Sequence, residues 1–194
     1  MAKIEALPGR ECGACTVCCT VKPISTGGIV KAPGITCEHC TAQGCGIYET
    51  RYDICIGYLC GWKWAPFIAD DMRPDQSGLL FDVQQEPTDD GYIGEVTILA
   101  FRSPADFTRG RTPDLIVSLM ARGVSVQLSR PGPPGMLNAK VRVNDGFEAA
   151  VANGGRPALF AEIRKVTAVL DGHQWEPFLP PSERRSPSRG PTAG

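Results

Sequence analysis

The run Glu95-Val96-Thr97-Ile98-Leu99-Ala100-Phe101 decides the fold class. It is mostly apolar, rich in β-branched residues and too short for a stable helix, so it is predicted to be a strand. Upstream, Leu79-Leu80-Phe81-Asp82-Val83 has the same character, and Pro87-Thr88-Asp89-Asp90-Gly91 between them is a reversal signal. The pair therefore predicts a β-hairpin. Downstream, Thr112 as cap and Pro113 in the first helical position open a segment in which Leu115, Ile116, Leu119 and Met120 recur at helical spacing, and Gly123 closes it. Val124 to Leu128 alternates like a strand, Arg130 to Gly135 is a Pro/Gly turn, and Ala139 to Val143 alternates again. Phe147 to Ala152 predicts a short helix. Pro157 opens a last one, with Leu159, Phe160, Ile163, Val166 and Leu170 on one face and Asp171-Gly172 at its end. Residues 78–172 are thus expected to form a small α+β domain with a hairpin-containing sheet and one to three helices.

With 194 residues, 42% of them hydrophobic, the chain can bury one ordinary core and a small satellite fold. Lys and Arg number 20 against 21 Asp and Glu, a net charge of −1. Neither nucleic acid nor an anionic membrane has an electrostatic footprint to bind, and the expected partner is another protein. The stretch Met1 to Pro8 lacks the apolar core of a secretion signal, and no uncharged apolar run approaches the roughly 18 residues that span a bilayer, so a cytoplasmic location is expected. Residues 177–194, with Pro180-Pro181, Arg184-Arg185 and several serines, have the composition of a disordered tail.

All nine cysteines fall within residues 12–60. Residues 10–70 show little periodicity and are interrupted by Pro23 and Pro33, and apolar pairs such as Ile47-Tyr48 and Tyr58-Leu59 are short. Ordering such a segment costs about 1 to 2 kcal/mol per residue in backbone entropy. A structural metal, whose binding in small zinc modules contributes on the order of 10 kcal/mol, can offset part of that. The odd cysteine number and a reducing compartment argue against a disulfide framework. This first part is therefore expected to be a metal-organised cysteine-cluster domain.

The most specific feature is Cys12-x2-Cys15-x2-Cys18-Cys19, because two-residue spacers let a tight turn aim successive sulfurs at one centre. Bacterial ferredoxins present ligands to a cubane with similar spacing, although their fourth cysteine follows after three residues and precedes a proline, unlike here. Adjacent Cys18 and Cys19 point in different directions, so one of them serves a second site or the core. A second block follows, from Cys37-Glu38-His39-Cys40 through Gly44-Cys45-Gly46-Ile47-Tyr48 and Arg51-Tyr52 to Cys55 and Cys60. Together the blocks resemble the bacterial CxxCxxCC cysteine-cluster family (YkgJ-type, zinc- or iron-chelating), whose second half has a cysteine, a short spacer, GC-x-IY-x2-RP-x2-C and a further cysteine. Tyr52 stands where that family has proline. The resemblance covers about residues 12–60 and implies a ligand set of Cys12, Cys15, Cys18, Cys19, Cys37, Cys45, Cys55 and Cys60, with Cys40 as a spare.

Those eight thiolates suffice for one four-thiolate centre with spares or for two such sites. Cys12-x2-Cys15 and Cys37-x2-Cys40, with residues 16–36 between them, lie just outside the zinc pattern of two Cys-x2-Cys pairs about 15 to 20 residues apart. The clustered first block favours an iron-sulfur cluster over zinc, though thiolates suit both. His39 is an alternative ligand; a solvent-exposed role is the more ordinary one. Tyr48, Tyr58, Trp62 and Trp64 are candidates for apolar cover or simply for core, and Arg51 for an ion pair with Glu49 or Asp53 or for donation to a sulfur.

The chain has only two histidines, and no Gly-x-Ser-x-Gly elbow, phosphate loop or dinucleotide fingerprint follows a strand. Gly132-Pro133-Pro134-Gly135 reads as a turn, and Asp70-Asp71 and Asp89-Asp90 as solvated turn carboxylates. A non-catalytic redox, sensing or metal-handling protein with an iron-sulfur cluster is the leading expectation. The alternative is a structural zinc protein acting as a protein-interaction module, and an iron-sulfur enzyme working with an unseen partner stands third.

Overall fold

The computed structural model describes residues 4–26, 29–180 and 183. The chain begins with short elements: helix α1 (Val17–Val21), the antiparallel pair β1 (Ile24–Thr26) and β2 (Ile29–Lys31), the two-residue hairpin arms β3 (Cys40–Thr41) and β4 (Gly44–Cys45), then helices α2 (Asp53–Gly57), α3 (Gly61–Trp64) and α4 (Pro74–Ser77). A mixed sheet follows, made of β5 (Leu79–Gln84), β6 (Glu95–Ala100), β7 (Ser125–Arg130) and β8 (Ala139–Arg142), with α5 (Thr112–Met120) between β6 and β7 and α6 (Asn144–Asp171) last. The protein is α+β, as its element order predicts.

The hairpin forms in the register Leu79↔Ala100 to Gln84↔Glu95. β6 and β7 then pair in parallel, which requires a crossover; α5 supplies it. Pro113 lies in the first turn of α5, where its missing N–H is no loss, and Gly123 takes φ 75° just beyond its end. The two helices expected near the C-terminus follow one another in α6, separated by Gly155 at φ 58° and ψ −149° ahead of Pro157. Only glycine adopts that backbone freely. The first of them starts earlier than expected, because the buried Asn144 amide accepts from Val126 N–H and donates to Val124 C=O, each at 2.8 Å, and so stitches the helix start to β7.

Alternation along the strands separates the faces of the sheet. Leu79, Phe81, Val96, Ile98, Ala100, Val126 and Leu128 are buried together with Ile116 and Leu119 of α5 and Phe147, Leu159, Ile163 and Leu170 of α6. Each such Phe, Leu or Ile contributes about 1.5 to 3 kcal/mol by leaving water. On the opposite face Leu80 and Leu99 pack with Val21 of α1, the first contact of the cysteine-rich part with the sheet. Beside them Asp82 accepts from Lys22 Nζ at 2.6 Å and from the Tyr58 hydroxyl at 2.7 Å.

A second junction runs around β5. Trp62, Trp64, Ala65, Ile68 and Met72 belong to the same apolar cluster as the sheet and its helices, with Phe67 packed against them. Arg10 ties the chain start to this junction, donating to Trp62, Ala65 and Ile68 carbonyls and to Asp70. Residues 62–72, which composition groups with the cysteine block, thus share the core of the sheet. At the other end, Leu137 N–H donates to Glu176 C=O and Phe178 N–H to Gly135 C=O, holding the turn before β8. Pro177 and Phe178 are therefore structured, where tail composition predicts disorder; residues 181–182 and 184–194 of that predicted tail lie outside the described residues. Among the described residues no helix is long and apolar enough to cross a membrane.

Gly61 sits where α3 meets β5, and an added Cβ would stand 2.7 Å from Val83 Cγ2 and 2.9 Å from Phe81 Cβ. Gly61→Ala is expected to destabilise the protein by about 1 to 3 kcal/mol through overpacking, read as a lower urea midpoint at unchanged slope. An unchanged midpoint would contradict this docking.

Candidate metal centre

Five chain segments carry the cysteines. Cys15 N–H donates to Cys12 C=O at 2.9 Å, closing a tight turn in which Gly13 takes φ 52°. Cys18 and Cys19 follow in the first turn of α1. Cys37 N–H donates to Cys19 C=O at 3.0 Å, so the second block is joined directly to the first, and Cys40 N–H closes another turn on Cys37 C=O. Cys40 pairs with Cys45 across the β3–β4 ladder. Gly44, at φ 124°, brings that ladder so near the first turn that a Cβ there would lie 2.6 Å from Gly13 C=O. Cys55 is carried by α2, and Cys60 caps the start of α3.

Cys12, Cys15, Cys18, Cys19, Cys37, Cys45 and Cys55 wall one cavity of about 210 Å³, together with His39, Arg51, Tyr48, Tyr52 and Tyr58. All nine cysteines are free and partly buried. Among the described residues, as the side chains stand, no three His, Cys, Asp or Glu groups form a set that could hold an ion. The donor chemistry of the cavity wall nevertheless fits a thiophilic metal: soft sulfur donors from separate segments face one enclosed space, which is how thiolate sites for zinc and iron-sulfur clusters are composed.

Crowding governs the ionisation of these thiols. The Cys18 thiol donates to Cys19, which raises the Cys18 pKa and lowers that of Cys19 to about 6. Burial pushes Cys60 up to about 11, and nearby Cys12 and Cys15 add to it. Cys15 is raised by burial. Cys55 is raised by burial and then by the charge of Cys19, Cys37 and Cys45. Like charges this close cannot all ionise without a cation among them, so the arrangement favours one.

Two lysines that sequence reading passed over stand at this site. Lys63, 9% exposed between two tryptophans, extends Nζ to within 3.6 Å of Cys12 Sγ and 3.3 Å of the Tyr48 hydroxyl. Burial opposes its charge, but Cys12 and Tyr48 outweigh burial and its pKa is raised. Lys31, 6% exposed, donates to Thr20, Ala32 and Ile35 carbonyls, and its pKa is lowered by burial against the pull of Cys37 and Cys19. Their positions depend on folding, although a lysine inside Trp62-Lys63-Trp64 is itself an unusual local signal.

The remaining candidates divide. His39 lines the cavity with its Nε2 3.1 Å from the Tyr52 hydroxyl, so Tyr52 holds the histidine in place. Arg51 lies 3.8 Å over the Tyr48 ring, a cation–π contact, rather than pairing with Glu49 or Asp53. Tyr48 and Tyr58 line the cavity, whereas Trp62 and Trp64 are core. Cys60 and Cys40 are absent from the cavity lining, and Cys40 is hydrogen-bonded to Cys19. Of the acidic pairs, Asp70 accepts from Arg10 and Asp71 faces Arg111 at 3.4 Å.

No protein-family model, no curated protein and no solved structure matches the chain.

Protein unfolded anaerobically in guanidinium with a chelator, and without reductant, is expected to take up nine alkyl groups by mass spectrometry, one per cysteine. A shortfall of two would reveal a disulfide and remove a pair of donors from the cavity.

Proposed function

We propose that this is a cytoplasmic protein holding a cysteine-ligated metal centre, an iron-sulfur cluster in preference to zinc, with a non-catalytic role in electron transfer, sensing or metal handling. The observation that carries this reading is the gathering of seven cysteines, dispersed from Cys12 to Cys55, around one cavity. Chance burial of inert thiols would scatter them. The resemblance to the CxxCxxCC family supports the same reading through its individual residues.

An iron-sulfur cluster, when bound, supplies a one-electron redox centre; zinc supplies a cross-link between the segments. The residues of this chain do the rest. Ile47, Ile54, Tyr48 and Tyr58 on the cavity wall limit water access, which tunes a bound centre. Lys63 places its ammonium 3.6 Å from Cys12 Sγ, and Lys31 lies near Cys37 and Cys19. Lys22 and Tyr58 anchor the site to Asp82, and thereby to the sheet. The partner in this reading is another protein. Ile54 and Ile56, which flank Cys55, are 46% and 51% exposed and offer apolar contact beside the centre.

Structural zinc is the second reading, favoured by the brevity of the elements between Val17 and Gly57, which gain little stability from packing of their own. In that case the chain is a protein-interaction module. Anaerobically purified protein is expected to show the broad visible charge-transfer absorption of an iron-sulfur cluster. A colourless sample with stoichiometric zinc would instead establish the second reading.

Cys15→Ser is expected to lower metal content and solubility together, because it removes a donor from the middle of the first block. Cys40→Ser, at the position that the resemblance leaves as a spare, is expected to retain most of the metal. Equal loss by metal analysis would make Cys40 a ligand.

A further inference from the structure

Around the shared cavity the cysteines fall into two groups of contacts, with Cys60 outside its wall. Near the chain start, the Cys12–Cys15 turn meets α3: Lys63 donates its backbone N–H to Cys60 C=O at 2.8 Å and reaches Cys12 Sγ with its side chain, so Cys12 and Cys60 bracket one buried lysine. Away from it, Cys37 N–H binds Cys19 C=O. Cys45 is tied to that turn through Gly46 N–H on His39 C=O, and α2 with Cys55 is tied to it by the Tyr52 hydroxyl on His39. A second buried lysine, Lys31, sits under this group, bonded to the carbonyls of Thr20 and Ile35.

Cys18 and Cys19 mark the division. Neighbours in a helix project about 100° apart, and although the Cys18 thiol donates to Cys19, each of the two has its own further neighbours. Beyond its contact with Cys19, Cys18 lies near Cys12 and Cys60, and Cys55 lies near Cys19, Cys37 and Cys45, which agrees with the grouping drawn from the backbone contacts.

Resting on the metal-centre reading above, we infer that the chain holds two four-thiolate sites, one formed by Cys12, Cys15, Cys18 and Cys60 and the other by Cys19, Cys37, Cys45 and Cys55, joined at the Cys18–Cys19 peptide. Four thiolates around a divalent ion leave a charge of about −2 in each site. Each set has its own buried lysine to balance part of it, Lys63 for the first and Lys31 for the second. A single four-thiolate centre accounts for neither the second lysine nor the four remaining donors.

Co(II), which takes thiolate sites and reports on them by sulfur-to-metal charge transfer and d–d absorption, is a suitable probe. Titrated anaerobically into the metal-free full chain, it should saturate at two equivalents. Cys60→Ser and Cys55→Ser should each bind one, and the double variant none. Lys63→Met and Lys31→Met, which keep every thiol, should each weaken one of two equivalents by about tenfold, and they carry the test if a cysteine variant fails to fold. Saturation of the unaltered chain at one equivalent overturns the two-site proposal while leaving a single metal centre in place. So does loss of the same equivalent in both cysteine variants, or in both lysine variants. Absence of any thiolate-to-cobalt band overturns the underlying metal-centre reading as well.

Discussion

Side chains along a β-strand point alternately to opposite faces, and β5 uses both. Leu79 and Phe81 face the helices and join the main core; Leu80 and Asp82 face the cysteine-rich segment. Nearly everything about the candidate site depends on this alternation. Asp82 fixes Lys22, one turn beyond Cys18, and Tyr58, between Cys55 and Cys60, so a single carboxylate holds two separate parts of the cysteine block to the sheet. A slip of one residue in the β5–β6 register would turn Asp82 into the core and Phe81 out of it, and the cysteine segment would lose its anchor.

The cysteine segment has a problem of the opposite kind, an excess of potential negative charge in a small space. Burial and the nearby Cys12 and Cys15 raise the Cys60 thiol, and sulfurs crowded in this way form an arrangement that is more comfortable with a cation than without one. Buried lysines are costly unless their charge is used. Lys63 lies against Cys12, while Lys31 has three carbonyls to satisfy its ammonium and thiols close by. The aromatic residues take different parts in this. Tyr48 and Tyr58 offer a ring to the cavity and a hydroxyl to a polar partner, whereas Trp62 and Trp64 pack into the shared core and hold Lys63 between them.

Much of the fold was legible because it is locally encoded. The hairpin, α5, β7, β8 and the break ahead of Pro157 within α6 follow from strand alternation, helical spacing and the two residues, glycine and proline, whose backbone preferences are strongest. The parallel pairing of β6 with β7 was not legible, since it depends on which edge the chain returns to after α5. Nor was the membership of residues 62–72 in the main core: their aromatic content marks them as buried without saying against what. Pro177 and Phe178 look like tail by composition, and only their hydrogen bonds to the turn before β8 show otherwise.

By itself, the sequence determined the donor chemistry of the candidate site and the class of the fold, because thiol spacing and side-chain periodicity act over a few residues. Only the tertiary structure decided which cysteines stand together. Cys60 reaches Cys12 through α3 and Lys63, and Cys19 reaches Cys37 through a backbone hydrogen bond, contacts that close loops of tens of residues. Proximity across such loops is set by packing on the sheet, and no spacing rule within a motif contains it.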